Sequence, residues 1–422
     1  MEFFEVAAIL LTLAAFLSYV NHRFVRLPTT VGLMVLSLAL SLLIILAGGA
    51  YRQNADLLLQ SVDFNEALMH GMLGFLLFAG ALHIDLGDLM QQKRIIAVLA
   101  TVGVVATTLV VGALTWLLMG LMDLEVKFIH CLLFGALISP TDPIAVLGLL
   151  KKLGAPRSLT AKIAGESLFN DGVGVVVFLV LMNIAGLGDG HGPVTAGQVG
   201  LEFLREVLGG GIFGFAIGFV AYRMLRSVDN YPVEILISLA LVMGGYALAL
   251  QWHVSGPIAM VVAGLLIGNH GRTFAMSDKT RLHLDMFWEL VDETLNAVLF
   301  VLIGLEVLAL SLTGQYLLAG LAAVAMTLLA RFMAVGAGVL CLRPIRDFTP
   351  HAVKVMTWGG LRGGISVALA LGLSQRLGDD YQSTRQVILV MTYIVVVFSI
   401  VVQGLTISPL MRRWQVNGKP AT

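Results

Sequence analysis

The sequence predicts an all-α polytopic membrane protein of about thirteen transmembrane helices, and three observations predict it. Of its 422 residues 58% are hydrophobic and only 12% charged, with a mean hydropathy of +0.92. A soluble domain carries roughly 25% charged residues, so the polar side chains here cannot cover a water-facing surface of this size. Apolar stretches long enough to span a bilayer, about 20 residues each, recur from end to end. Prolines or glycines, together with ionisable residues, interrupt two of those stretches at membrane depth.

The stretches fall near 3–20, 28–48, 66–84, 95–120, 128–149, 160–187, 201–223, 233–250, 254–269, 286–310, 315–341, 350–374 and 385–410. The first, MEFFEVAAILLTLAAFLSYV, lacks a basic flank and a small-residue cleavage site, so it reads as a retained helix. No connection is long enough for a second domain, and one transmembrane domain over 1–422 without a soluble regulatory part is expected. Net charge is zero, which leaves no electrostatic footprint for nucleic acid. Cys131 and Cys341 lie far apart in apolar runs, without metal or disulfide spacing.

Lys and Arg set the orientation. With the N-terminus outside, nineteen of the 26 fall in cytoplasmic loops and the C-terminal tail, among them Arg23, Arg26, Lys93, Arg94, Lys151, Lys152, Arg272, Arg346 and Lys419. Five fall on the other side: Arg52, Lys127, Arg205, Arg376 and Arg385. This is the positive-inside bias, and an odd number of spans puts the C-terminus in the cytoplasm. The remaining two, Arg331 and Arg362, lie inside apolar segments.

An ionisable group at membrane depth costs about 2.5–3.5 kcal/mol on insertion scales, so each one needs a reason. Segment five carries Ser139-Pro140-Thr141-Asp142-Pro143 in an apolar run. Two prolines three apart break a helix there, and unwound backbone is tolerated at that depth where it lines a polar cavity or is buried in protein. A proline kink with a capping Asp is the plain alternative. Segment six carries Gly165-Glu166-Ser167-Leu168-Phe169-Asn170-Asp171-Gly172. Residues four apart share a helix face, so Ser167 and Asp171 project together, with Glu166 and Asn170 beside them. A helix cap at a loop is excluded by the apolar run Val173–Met182 that follows directly. Arg331 in segment eleven has roughly ten apolar residues on either side, too deep for easy snorkelling, and its guanidinium needs a carboxylate or carbonyl. In segment twelve, Gly359, Gly360, Gly363 and Gly364 surround Arg362 and weaken the helix locally.

Segments five and twelve are seven spans apart, and an odd offset reverses the chain direction. Interrupted helices in corresponding positions of inverted halves point to a transporter's binding site. Where two such helices cross, their positive ends face one another, as do their negative ends. Asp142 is placed to neutralise the first pair and Arg362 the second.

The runs SPTDPIAV (139–146), GESLFNDGVGVVVF (165–178), SGPIAMVVAGLLIGN (255–269) and WGGLRGGISVALAL (358–371) resemble the NhaP-type branch of the cation/proton antiporters, which includes the animal sodium/proton exchangers. The resemblance spans essentially the whole chain. It implies a thirteen-helix, NhaA-like antiporter fold of inverted repeats, with interleaved dimerisation and core subdomains and a homodimer in a bacterial inner membrane. It implies exchange of a monovalent cation, sodium before lithium or potassium, for protons, electroneutral and one for one, with no cofactor. Asp171 would bind the ion or the proton, with Ser167 and the Thr141 backbone as further cation ligands. Asp142 would pair with Asn170, and Glu166 with Arg331. One position departs from the pattern: many bacterial relatives carry a glutamate in segment three where this chain has Ala79. Water, Glu66 or His70 would then have to substitute, and weaker sodium affinity with comparable use of potassium is expected.

His83, Asp85 and Asp88 read as a solvated helix end, the run 283–293 (HLDMFWELVDE) as the amphipathic start of segment ten, and Glu306 as interfacial. Rival functions fare worse. Nothing fixes a base against Ser255 in His253-Val254-Ser255-Gly256, and Asp142 and Asp171 do not sit in matched motifs, which argues against an intramembrane hydrolase. A channel is disfavoured because an inverted pair of broken helices suits alternating access. There is no nucleotide-binding loop, so the driving force is an ion gradient.

Overall fold

The computed structural model describes residues 3–49, 64–142, 146–147, 150, 154–188, 196–311, 313–343, 348 and 351–414. Of the residues weighed above, Arg52, Pro143, Lys151, Lys152, Arg346, Lys419 and the side chain of His70 lie outside this description.

Every predicted segment contains helix. In chain order these are α1 (Phe3–Val20), α2 (Thr29–Ala47), α3 (Phe64–Leu82), α4 (Lys93–Leu121), α5 (Phe128–Ile138), α6 (Arg157–Ile184) and α7 (Ala196–Arg226). There follow α8 (Tyr231–Gln251), α9 (Gly256–Leu266), α10 (Asp278–Leu305) and α11 (Gly314–Leu342). The twelfth segment is split into α12 (Ala352–Trp358) and α13 (Gly364–Arg376), and α14 (Gln382–Arg413) closes the chain. Nine helices among the described residues are long and apolar enough to cross a membrane on their own. Helix α10 is not one of them, because Glu289, Asp292 and Glu293 sit inside its apolar stretch. Leu109 and Trp116 on α4, Phe215 and Phe219 on α7, and Leu321 and Phe332 on α11 stand exposed on the outside. Such apolar faces suit lipid rather than water. The protein is a multi-pass membrane protein.

Packing sorts the helices into two sets. In one, α2 and α3 pack on α10, α3 on α9, and α7 and α8 on α9. In the other, α4 packs on α5 and α11, α5 on α6, and α14 on α11 and α13. The sets meet where α6 touches α7 and α9 and where α10 touches α13. The ends of the two broken helices therefore look across this seam at α3 and α10.

Within the second set α4 and α5 approach closely. A Cβ built on Gly135 would lie 2.3 Å from the Thr108 carbonyl oxygen, a backbone atom that cannot swing aside. Gly135→Ala is therefore expected to force the helices apart and to destabilise the protein by about 1–3 kcal/mol, the usual cost of overpacking. Thermal unfolding in detergent reads this as a lowered midpoint. An unchanged midpoint would show that α4 and α5 are not in backbone contact here.

Candidate ion-binding site

Helix α5 stops at Ile138, and Pro140, with no N–H to give, leaves the chain extended through Asp142. Helix α12 stops at Trp358, and the glycine-rich run up to Gly363 is likewise non-helical. The two breaks cross. The Asp142 N–H donates to the Leu361 carbonyl at 2.8 Å in an antiparallel bridge, the only strand-like pairing among the described residues.

Breaking a helix inside a membrane orphans carbonyls and amides that lipid cannot hydrate, and several kcal/mol attach to each. Here side chains satisfy them. Arg362, 2% exposed, donates through Nη1 to the Ser139 carbonyl and to the Pro140 carbonyl, the latter at 2.7 Å. Its own N–H donates to Ser399 Oγ at 2.8 Å, Ser399 donates to Gln403 Oε1 at 2.6 Å, and Gln403 Nε2 donates to the Trp358 carbonyl at 2.9 Å. Ser399 and Gln403 lie on a widened turn of α14, Phe398–Gln403. Asp142 stands at the start of α13: a Cβ on Gly363 would lie 2.8 Å from Asp142 Oδ2, so only glycine admits the carboxylate so close to that helix end. The two charges thus occupy opposite ends of the crossing, Arg362 on exposed carbonyls and Asp142 at a helix N-terminus.

Helix α6 lies beside the break. Asn170 is fully buried, accepting from the Thr141 N–H at 3.2 Å and donating through Nδ2 to Thr141 Oγ1 at 2.8 Å and Glu166 Oε1 at 3.2 Å. These bonds tie α6 to Thr141 in the break after α5, next to Asp142, the partner that the resemblance implies. Ser167 Oγ lies 2.9 Å from Thr141 Oγ1. Glu166 and Arg331 form a two-pronged ion pair, Nη1 to Oε1 and Nη2 to Oε2, the second at 2.6 Å, with both side chains buried. A Cβ on Gly360 would meet Arg331 Nε at 2.8 Å, so a second glycine of the α12 break makes room for this arginine. Asp171, in contrast, has no hydrogen-bond partner among the described residues. It lines a cavity of about 530 Å³ together with Asp142, Ala79, Ser366 and the acidic face of α10.

That acidic face is what the sequence reading missed. Asp285, Glu289, Asp292 and Asn296 all line the cavity, so the run read as an amphipathic helix start is one wall of the site. Their spacing of four, three and four residues marks one helix face and was the available signal. At the mouth, Asp285 is held by Arg272, and His83 Nε2 lies 4.0 Å from Asp285 Oδ1. His83 is therefore part of the cavity wall, while Asp85 caps the short helix Leu86–Gln91 by accepting from the Asp88 N–H. Glu66 is exposed, whereas Ala79 is buried on the cavity. Glu306, expected at the interface, lies just past the end of α10 and is buried at 8% exposure, lining a small cavity with Thr392 and Tyr393. Lys162, counted with the loops, is also buried, its Nζ 4.6 Å from the Phe348 ring centre.

Broken helices that cross at membrane depth over a polar cavity are a construction of membrane transporters. Residues 10–413 match the family model described as sodium/hydrogen exchanger, transmembrane, and the chain belongs to that family. It is 48% identical to Na(+)/H(+) antiporter NhaP of Pseudomonas aeruginosa, over 97% of this chain and 96% of that one. It is 34% identical to Na(+)/H(+) antiporter NhaH of Halobacillus aidingensis, over 84% of each. The fold is that of the sodium proton antiporter MjNhaP1 from Methanocaldococcus jannaschii, with a TM-score of 0.77 at 18% identity, covering 98% of this chain and 99% of the other.

The geometry of Glu166 and Arg331 sets an expectation for stability. Removing one partner of a buried pair leaves an uncompensated charge and costs about 3–5 kcal/mol. Glu166→Ala and Arg331→Ala should each lower the thermal midpoint in detergent more than the double variant does. Additive losses in that double-mutant cycle would show that the two do not act as a pair.

Proposed function

We propose that the protein exchanges a monovalent cation, sodium in the first place, for protons across the membrane, one for one, by alternating access. The observation that carries this is Asp171: a carboxylate lining a cavity of about 530 Å³, without a hydrogen-bond partner among the described residues. The charged groups beside it on α6 and at the two helix breaks are matched. Glu166 is held by Arg331, Arg362 is spent on the carbonyls of Ser139 and Pro140, and Asp142 faces a helix N-terminus. Of these groups Asp171 alone is left to take either a proton or a cation.

The oxygen donors suit a hard monovalent ion. Ser167 Oγ, the Thr141 backbone, the Asp171 carboxylate and water supply what such a cation loses on leaving bulk solvent. Proton and cation compete for the same oxygens. If only the occupied forms cross, exchange is obligatory, and replacing one proton by one cation moves no net charge. The names of the relatives support sodium as the ion. Ala79, buried on the cavity wall, supports a second reading in which potassium is used comparably, since an apolar wall offers less to a small, strongly hydrated ion.

The set containing α4, α5, α6 and α11 to α14 carries the site and is the part that moves. The set containing α3 and α10 is the fixed wall and, with its exposed apolar helices, the side on which two copies pair as a homodimer. The mouth lies at His83, Asp285 and Arg272, on the side rich in Lys and Arg, so the cavity opens to the cytoplasm, with the N-terminus outside, the C-terminus inside, and the chain in a bacterial inner membrane. The cargo is monovalent cations and protons; no cofactor and no nucleic acid takes part.

Asp171→Asn keeps the volume and removes the titrating group. In reconstituted vesicles with a trapped pH dye, the variant should show no response to added sodium, lithium or potassium salts while remaining folded. Substantial proton-coupled transport by that variant would overturn the assignment.

A further inference from the structure

The wall opposite Asp171 carries oxygen atoms that the exchange described above does not use. Asp292 and Asn296 are one turn apart on α10, and both line the cavity shared with Asp142 and Asp171. Asn296 is 4% exposed, its Nδ2 donates to the Asp292 carbonyl at 2.9 Å, and its Oδ1 has no hydrogen-bond partner. Ser366 on α13, 1% exposed, lines the same cavity and likewise leaves its Oγ without a partner. Buried polar atoms normally find partners, and leaving one unmade costs about 1–3 kcal/mol.

Charge points the same way. Asp292 and Asp142 line the same cavity, so like charges share it. His83, at the mouth, is the only basic side chain among the described residues that line the cavity. The nearby arginines are engaged elsewhere: Arg331 on Glu166, Arg362 on the α5 carbonyls and Arg272 on Asp285. Contacts of α3 with α10 fix the height of Asp292. His83 meets Asp285, and Phe75 meets Trp288 with ring centres 6.0 Å apart, so the two helices run antiparallel. Asp292 therefore lies about two turns inward from the mouth. Further along α10, the side chain of Leu299 packs on Gly364 at the start of α13, beside Asp142. On α3 the same cavity is lined by Ala79 and Gly80, so polar contact from this wall comes from α10.

We infer that Asp292 and Asn296 form a second oxygen site for the transported monovalent cation, which holds the partly hydrated ion on the fixed wall as it passes between the mouth and Asp171. The inference rests on the exchange proposed above. A carboxylate and an amide carbonyl are donors that a hard cation accepts while keeping part of its water. A cation between Asp292 and the pair Asp142 and Asp171 offsets the repulsion across the cavity. The site sets how readily sodium reaches Asp171 and leaves the proton-binding group itself unaltered.

The test is a sodium titration of exchange in vesicles, with apparent KM and maximal rate taken separately. Asp292→Asn should raise the apparent KM for sodium at least fivefold, a larger factor than any change in maximal rate. Asn296→Leu should act in the same direction, and Asp292→Glu should return KM to within twofold of the parent. If Asp292→Asn does not accumulate in the membrane, Asp292→Ser takes its place. A KM within twofold of the parent in the neutral variants overturns the inference, and so does a loss confined to maximal rate, which would mark a packing role. Asp171→Asn, measured in parallel, separates the two ideas: exchange surviving there removes the basis in Asp171, whereas a silent Asp171→Asn beside an unaltered Asp292→Asn removes only the second site.

Discussion

Two helices broken at the same depth in a membrane leave carbonyls and amides facing one another with no water to satisfy them. The crossing of α5 with the α12–α13 segment is possible because Arg362 donates to the carbonyls of Ser139 and Pro140, while the Asp142 N–H reaches the Leu361 carbonyl. The residues that close these bonds also fix the distances around Asp171. Arg362 is anchored through Ser399 and Gln403 on α14, so three segments far apart in sequence share one hydrogen-bonded knot. Loosening any strand of it would expose polar backbone to hydrocarbon, which is why such a knot is expected to be rigid.

Rigidity in the knot lets one carboxylate remain unmatched. Glu166 and Arg331 cancel each other within the helix set that carries the site, and Asn170 ties α6 to Thr141. Asp171 lies one residue beyond that tie and faces the cavity. An unmatched carboxylate inside protein is unstable as a bare anion and needs a proton or a cation. In the exchange proposed above, coupling follows from that need. The protein does not have to sense which ion is present, because either one relieves the same deficit.

Much of this was legible in the sequence, for a physical reason. Lipid makes every ionisable or helix-breaking residue conspicuous, so Pro140, Asp142, Glu166, Asp171, Arg331 and Arg362 stood out against apolar neighbours. What escaped notice was polar for ordinary reasons. Asp285, Glu289 and Asp292 flank a helix end where charge is common, and only the cavity distinguishes them from a solvated face. Ser399 and Gln403 carry no local signal, since their role depends on α14 passing the α12 break. The burial of Lys162 and Glu306 is likewise tertiary, set by Phe348 in one case and by Thr392 and Tyr393 of α14 in the other.

In the proposed exchange, proton and cation compete for one carboxylate. The most direct measurement is proton release from the purified protein in weakly buffered detergent near neutral pH as sodium is added, followed with a pH indicator alongside calorimetric binding. About one proton should be released for each sodium bound, by the exchange of one charge for another at a single site. Sodium binding with no proton release would contradict it.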